Sequence, residues 1–541
     1  MKMRILALLM AAFCCLGCFS FVACDVNVNV NGDITTTPRG DETTAAPGGN
    51  ETTAAPGGNE TTAAPEGGET TAAPGGNETT AAPEGGETTA APGGNETTTP
   101  PVVENPDEGY DGSAVTITFY HTMGQNLRDV LDAYIVEFNK LYPNITIVHE
   151  QVGSYDDVRD QISTEITVGN QPNIAYCYPD HVAVYNISKA VYPLDALIDN
   201  MADVTRADGT TERMGLTQKQ INDFIPGYYA EGKQFGDGKM YTLPMSKSTE
   251  VLYYNATFFA EHGLTPPTTW DEMEELCRKI KEIDPDCIPL GYDSEANWFI
   301  TMTEQLGTPY TSATGEHFLF NTPENRAFVK EFREWFEAGY VTTQDIFGAY
   351  TSGLFVEPDP SKQRSYMSIG SSAGATHQRP AKVDNEYPFE VGITSIPQAN
   401  PDQPKVISQG PSLCIFNKAN IQEVYASWLF VKYLTTTVEF QAEFSMVSGY
   451  VPVLKSVARN EMYSAWLDKA DGGANIAALS AKVCLDQANA YYTSPAFNGS
   501  SVARDEVGKL IKDCFSAVTD DVDAMIAKAF EDAVEKCKYL S

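Results

Sequence analysis

Between residues 114 and 178 the chain alternates two rhythms. Val115, Ile117 and Phe119 are separated by single polar residues, the period of a half-buried strand. Leu127, Val130, Leu131, Tyr134, Ile135, Phe138 and Leu141 recur every three or four positions, the period of a helix with one apolar stripe. Pro143 stops that helix, and the rhythms repeat as a strand over 145–148, a helix over 155–168 closed by Gly169, and a strand over 174–178. Elements in the order βαβαβ predict a parallel, doubly wound sheet with ligand chemistry at the carboxyl ends of its strands. Downstream, helical spacing predicts helices over 270–283, 323–338, 421–434, 438–444, 502–515 and 522–539, with strands near 364–369 and at 412–416.

The stretch GKMYTLPMSKSTEVLYYN, residues 238–255, breaks this pattern. It holds two β-type runs, 240–243 and 249–254, with Pro244 and the polar cluster Ser246, Lys247, Ser248 between them. Proline has no N–H for a ladder, so one continuous strand is barred. A chain that leaves one lobe for another and lines a cleft on the way has this form. Two α/β lobes joined by hinge crossovers are therefore expected, the first from about 113–243 and 371–435, the second from about 248–366 and 446–541.

Ahead of this region the composition changes. Lys2 and Arg4 precede an apolar run over 5–16 that is too short to span a bilayer, and small residues follow, so 1–24 reads as a signal peptide. Its end resembles a bacterial lipobox with Cys24 as the lipidated residue and Cys18 as the competing site. From residue 42 a nine-residue period alternates ETTAAPGGN with ETTAAPEGG. With almost no bulky apolar side chain to bury, 25–112 is expected to form a disordered tether. It would hold the folded part on the order of 45 Å from a lipid anchor. The repeats lack the aspartates of a calcium-binding repeat of the same period.

Charge and cysteine content narrow the function classes. The chain has 36 Lys plus Arg against 73 Asp plus Glu, a net charge of -37, which argues against nucleic acid as a partner. Cys177, Cys277, Cys287, Cys414, Cys484, Cys514 and Cys537 are widely spaced and form no C-x-x-C, so metal or redox motifs are unsupported and mostly buried free thiols are expected. No metal or cofactor is implied. Gly370-Ser371-Ser372-Ala373-Gly374 fits the G-x-S-x-G of a nucleophile elbow, but His377 is the last histidine and lies five residues from Ser372, so no distant base follows. Paired carboxylates for a glycosidase remain an alternative, as does a surface lectin.

Three stretches carry a family likeness: ITFYHTMGQNLRDVLDAYIVEFNKLYPNITI with VGSYDDVRDQI, the crossing GKMYTLPMSKSTEVLYYNATFFAEHGLTPPTTWDEM, and QGPSLCIF followed by ASWLFVKYLTTTVEFQAEFSMVSGYVPVLKS. In order and spacing the chain resembles the extracellular solute-binding proteins of ABC importers, the branch with maltose-binding and glycerol-3-phosphate-binding proteins. The resemblance implies a periplasmic-binding-protein-like type II fold, no catalysis, and closure of two lobes on a ligand. The implied partners are a carbohydrate or polyol and permease subunits with a separate ATPase. The implied setting is a lipid-anchored monomer on the extracellular face of the cytoplasmic membrane. Position by position it implies ligand contacts at Tyr155, at Ser248 or Lys247, at Ser371 or Ser372, at Gly410 and at Tyr450, with Asp180 matching a family acidic residue only after a shift. The family's late arginine meets SPAFNGS, with Arg504 several residues too late, which favours a neutral sugar over glycerol phosphate or a glycerophosphodiester. Independently, sugars need aromatic faces and planar polar groups, and Trp298 and His121 are further candidates on those grounds. Lys247 stands as either a ligand contact or a solvated hinge charge, the latter preferred.

Overall fold

The structure, a computed structural model, describes residues 108–359 and 361–540. The signal segment, Cys18, Cys24 and nearly all of the tether lie outside the described residues.

The chain opens with β1 (Val115–His121), β2 (Ile145–Gln151) and β3 (Ile174–Cys177), separated by helices Gln125–Leu141 and Tyr155–Ile166. The three strands pair in parallel, as the alternating rhythms predict, and their order in the sheet is β2-β1-β3. A small hairpin of β4 (Asp203–Thr205) and β5 (Thr211–Arg213) follows, then β6 (Leu243–Pro244) and the long β7 (Ser248–Asn255). The remaining strands are β8 (Leu290–Tyr292), β9 (Val341–Thr343), β10 (Met367–Ser371), β11 (Val391–Thr394), β12 (Val406–Gln409), β13 (Ser412–Ile415) and β14 (Tyr491–Tyr492).

Proline 244 marks the point where the chain changes sheets. β6 and β13 extend the first sheet in antiparallel sense, in the order β2-β1-β3-β13-β6. β7, only three residues beyond β6, is the spine of the second sheet, β14-β12-β7-β10-β8-β9, with β11 also on β7. The segment 371–435, expected in the first lobe, divides: β11 and β12 hydrogen-bond to β7, whereas β13 and helix Ile421–Thr436 pack on the first sheet. Val451, Val453, Tyr463 and Ile476, expected in the second lobe, belong to a buried cluster that takes in Phe119 and Trp428 as well as Tyr253 on β7 and Val391 on β11. The chain crosses back between the sheets within ten residues, over 406–415.

Two large buried clusters follow the two sheets, and the first extends onto β7 and β11 through Val251, Tyr253 and Val391. Ile117, Phe119, Leu131, Phe138, Leu413 and Phe430 are fully buried around the first sheet, and Leu290, Trp298, Phe299, Val329 and Ile511 around the second. Each such side chain contributes about 1.5–3 kcal/mol of burial. The seven cysteines among the described residues are all buried and unpaired, the closest sulfurs being Cys177 and Cys414 at 3.7 Å. Among the described residues no helix is long and apolar enough to cross a membrane.

Candidate functional site

A cavity of about 310 Å3 is lined by residues of both lobes. That lies at the low end of the usual range for small-molecule sites. On the first lobe, Pro179 at the first position of helix Pro179–Ile187 fixes φ for helix entry and removes one N–H that would have had no partner within the helix. This turns Tyr178, Asp180 and His181 to the cavity just past the carboxyl end of β3. Ser154 and Asp157 form a capping box that starts helix Tyr155–Ile166, which supplies Asp156 and Arg159. On the second lobe, Thr493, Ser494 and the first turns of helix Ser500–Ser516 add Ser501, Arg504 and Asp505. Ser501 Oγ donates to Asp180 Oδ2 at 2.7 Å, so the two lobes already touch across the cavity.

The lining is rich in polar groups and short of partners. Arg159 pairs with Asp156 at 2.8 Å, and the Asp505 carboxyl is raised above its usual range, first by burial and then by Asp156 and Asp180 against the pull of Arg504 and Arg159. Burial lowers His181. His181 Nδ1, Thr311 Oγ1 and Ser408 Oγ line the cavity, are buried, and have no hydrogen-bond partner among the described residues. Buried polar atoms are rarely left so, because each costs about 1–3 kcal/mol of desolvation.

Tyr155 and Tyr450 come together, their hydroxyls 3.4 Å apart, although they are 295 positions apart in sequence. The Tyr155 ring lies 4.4 Å from that of the cavity-lining Tyr178 and 6.0 Å from Tyr176. Burial raises the Tyr155 hydroxyl well above its ordinary value, with Tyr176 and Tyr450 adding to the effect. The four tyrosines thus form an aromatic wall beside the cavity.

Gly410 and Asp180 also line the cavity. Gly410 has φ +98°, and a Cβ there would sit 2.7 Å from Ser246 O and 2.9 Å from Lys247 Cα. Both obstacles are backbone and cannot swing aside. Gly410→Ala is therefore expected to lower the unfolding free energy by about 2 kcal/mol or more, read as a fall in urea midpoint at constant slope. A change under about 0.5 kcal/mol would show that the crossing tolerates a Cβ.

The other sequence candidates are placed elsewhere. Lys247 is neither solvated nor on the cavity: it is fully buried, its Nζ donating to Glu231, to Gly410 O at 2.9 Å and to Ser412 Oγ at 3.0 Å. Trp298 is fully buried in the second core, its ring 4.9 Å from Tyr292 and 4.2 Å from Phe332. His121 is fully buried, Nε2 lying 2.8 Å from His149 Nδ1, and burial lowers its pKa to about 3. Ser248 is buried in the β7–β12 ladder, opposite Gln409. Ser372 Oγ accepts the Thr249 N–H at 3.1 Å, and Ser371 Oγ accepts from Ala373 N at the start of the following 3-10 turn, so this G-x-S-x-G knits β10 to β7. A short polar residue after a strand looks the same in sequence whether it faces ligand or closes a turn. Conversely, Arg504, set aside by sequence register, lines the cavity because the helix starts at Ser500 and carries it round.

The profile of the bacterial extracellular solute-binding protein family matches residues 133–470. The chain belongs to that family. As an extracellular solute-binding protein it acts outside the cytoplasmic membrane and is not an enzyme. It is 25% identical over 362 residues to the sn-glycerol-3-phosphate-binding periplasmic protein of Escherichia coli, covering 64% of this chain and 75% of that one. Its fold is similar to that of a cyclic alpha-maltosyl-1,6-maltose binding protein from Arthrobacter globiformis, with TM-score 0.61 and 20% identity over 79% of this chain and 99% of the other. It is equally similar, at TM-score 0.61, to UgpB from Mycobacterium tuberculosis in complex with glycerophosphocholine, with 16% identity over 79% and 98% of the two chains. The type II bilobal architecture of this solute-binding protein follows from these likenesses and from its two sheets.

Proposed function

We propose that this solute-binding protein captures a neutral oligosaccharide or polyol in the interlobe cavity and hands it to the permease of an ABC importer. The observation that carries the reading is the lining itself. Four carboxylates, Asp156, Asp180, Glu231 and Asp505, face two guanidiniums, Arg159 and Arg504. Lys247 offsets Glu231 and Arg159 offsets Asp156, which leaves two carboxylates against one arginine. A phosphate dianion meets net like charge there, whereas hydroxyl groups use carboxylates as acceptors and guanidiniums as donors. Tyr178 and Tyr310 offer faces for C–H surfaces. The maltose-type ligands named for its structural neighbours agree with this chemistry.

Arg504 favours a second reading, a glycerophosphodiester. Its guanidinium can take a singly charged phosphodiester, and a cationic headgroup would then meet the excess carboxylate. Ligand bridging both lobes favours the closed state by its differential affinity. The anchoring reading, through Cys24 and the tether, is part of the proposal and is tested by metabolic labelling with a palmitate analogue, which Cys24→Ser is expected to abolish.

Isothermal titration of maltotriose, sugar alcohols, glycerophosphocholine and sn-glycerol-3-phosphate against the purified chain separates the readings. The neutral compounds are expected to bind and glycerol phosphate not to. Tyr155→Ala with Tyr450→Ala is expected to weaken the bound compound by at least about 1–3 kcal/mol, from lost ring contact. Unchanged affinity in that double variant would remove the aromatic wall from the site.

A further inference from the structure

Behind the cavity wall lies a buried carboxylate that, among the described residues, takes its side-chain hydrogen bonds from neutral donors. Glu250, on β7, is 2% exposed; Tyr292 Oη donates to its Oε2 at 2.7 Å and Asn297 Nδ2 donates to its Oε1 at 2.9 Å. Charged and titratable groups face it from each neighbouring element: Tyr292 and Asp293 at the end of β8, Tyr492 on β14, and Arg504 on helix Ser500–Ser516. The Gln487 amide donates to its backbone carbonyl at 3.4 Å. Asn297 is itself 4% exposed and turns the other way as well. Its Nδ2 also donates to Gln409 Oε1 at 2.8 Å, while its Oδ1 accepts from Gln409 Nε2 at 3.1 Å and from Arg504 Nη2. Gln409 and Arg504 both line the cavity.

We propose that Glu250 is a positioning residue of the ligand site, its carboxylate holding the Asn297 amide in the orientation that presents an oxygen to Arg504. The inference rests on the reading of the cavity as the ligand site. An ionised carboxylate only accepts, so it draws the NH2 end of Asn297 and leaves the oxygen end for the guanidinium and for Gln409 Nε2. Turning the amide over would set oxygen against carboxylate and NH2 against guanidinium. A proton on Oε1 removes that preference, because it makes Oε1 a donor facing a donor. The turned amide then satisfies Glu250 and releases Arg504 and Gln409 from their present directions. Burial pushes Glu250 up to about 7, against the hydrogen bonds from Tyr292 and Asn297 and the pull of Arg504, with Asp293 raising it further. The exchange between the two orientations therefore falls near neutral pH.

The direction of the pH effects follows. Because the folded-state value is raised above the ordinary 4.5, Glu250 makes the fold less stable as pH rises from about 4.5 through 7. Affinity moves the opposite way, since the ionised form aligns Arg504. Asp505 and His181 also titrate at the cavity, so only the difference between wild type and Glu250→Gln isolates Glu250.

Two measurements on the full chain test this. With arginine-selective isotope labelling, the Arg504 guanidinium resonances of the ligand-free protein are expected to shift with a midpoint near 7, and this step is expected to vanish in Glu250→Gln. Second, the affinity for whichever of maltotriose and glycerophosphocholine titrates is expected to rise, between about pH 6 and 8, about fivefold or more in wild type relative to its change in Glu250→Gln. A uniform loss of affinity that preserves the wild-type pH profile assigns Glu250 a merely structural role and overturns the proposal. So does an Arg504 titration unaltered by Glu250→Gln. If the resonance step depends on Glu250 but Arg504→Ala leaves affinity unchanged, the coupling stands and the cavity reading fails instead.

Discussion

Lys247→Met is expected to remove about 3–5 kcal/mol of unfolding free energy, the cost of leaving one member of a buried ion pair alone. Lys247 and Glu231 have side-chain exposures of 0% and 4%. Three chain crossings meet at this lysine. Its own segment runs from β6 to β7; its Nζ donates to Gly410 O and Ser412 Oγ on the segment from β12 to β13; and its backbone forms an antiparallel bridge with Val451. Methionine fills much of the same space but strands the Glu231 carboxylate, which also accepts from Ser412 Oγ at 3.1 Å. Lys247→Met with Glu231→Gln is expected to recover most of the loss, since a neutral pair needs far less solvation. Urea unfolding of wild type, Lys247→Met, Glu231→Gln and the double variant measures this, and a Lys247→Met loss below about 1 kcal/mol would falsify the account of Lys247 as the buried tie of the hinge.

Arg504→Ala is expected to weaken ligand binding by about 1.5–3 kcal/mol, or about 10- to 150-fold, the range for hydrogen bonds to a charged group. Its guanidinium lies on the cavity and is held from behind by Asn297. Arg504→Lys keeps the charge but loses the planar fork, so it distinguishes the two ligand readings. For a neutral sugar the lysine variant is expected to be nearly as weak as alanine, because directed hydrogen bonds matter more than charge. For a phosphodiester it is expected to recover much of the affinity. Calorimetry on the three chains decides, with the urea midpoint measured alongside to exclude loss of fold. Equal affinity in all three chains would take Arg504 out of the site.

Much of this molecule was legible in its amino-acid pattern. The βαβαβ opening, the helices Trp270–Ile283 and Val522–Leu540 and the break at Pro244 come from local causes. Apolar spacing sets which face is buried, capping boxes such as Thr269 with Glu272 set where helices begin, and proline sets where a ladder cannot run. Strands β8 and β9 escaped notice because three-residue, fully buried runs show no alternation.

The site divides along the same line. Tyr155, Tyr450, Gly410 and Asp180 were reached from sequence by family likeness and stand at or beside the cavity. Trp298, His121 and Lys247 have the right chemistry and the wrong surroundings, and one-dimensional order carries no record of which side of a strand end is enclosed by the other lobe. Local rhythm and turn chemistry determined the elements and their succession, because those forces act over a few residues. Tertiary structure alone decided that Lys247 is a buried tie, that Arg504 reaches the cavity, and that Glu250 touches it through Asn297, because burial, charge pairing and cavity shape depend on segments hundreds of residues apart being brought within hydrogen-bond distance.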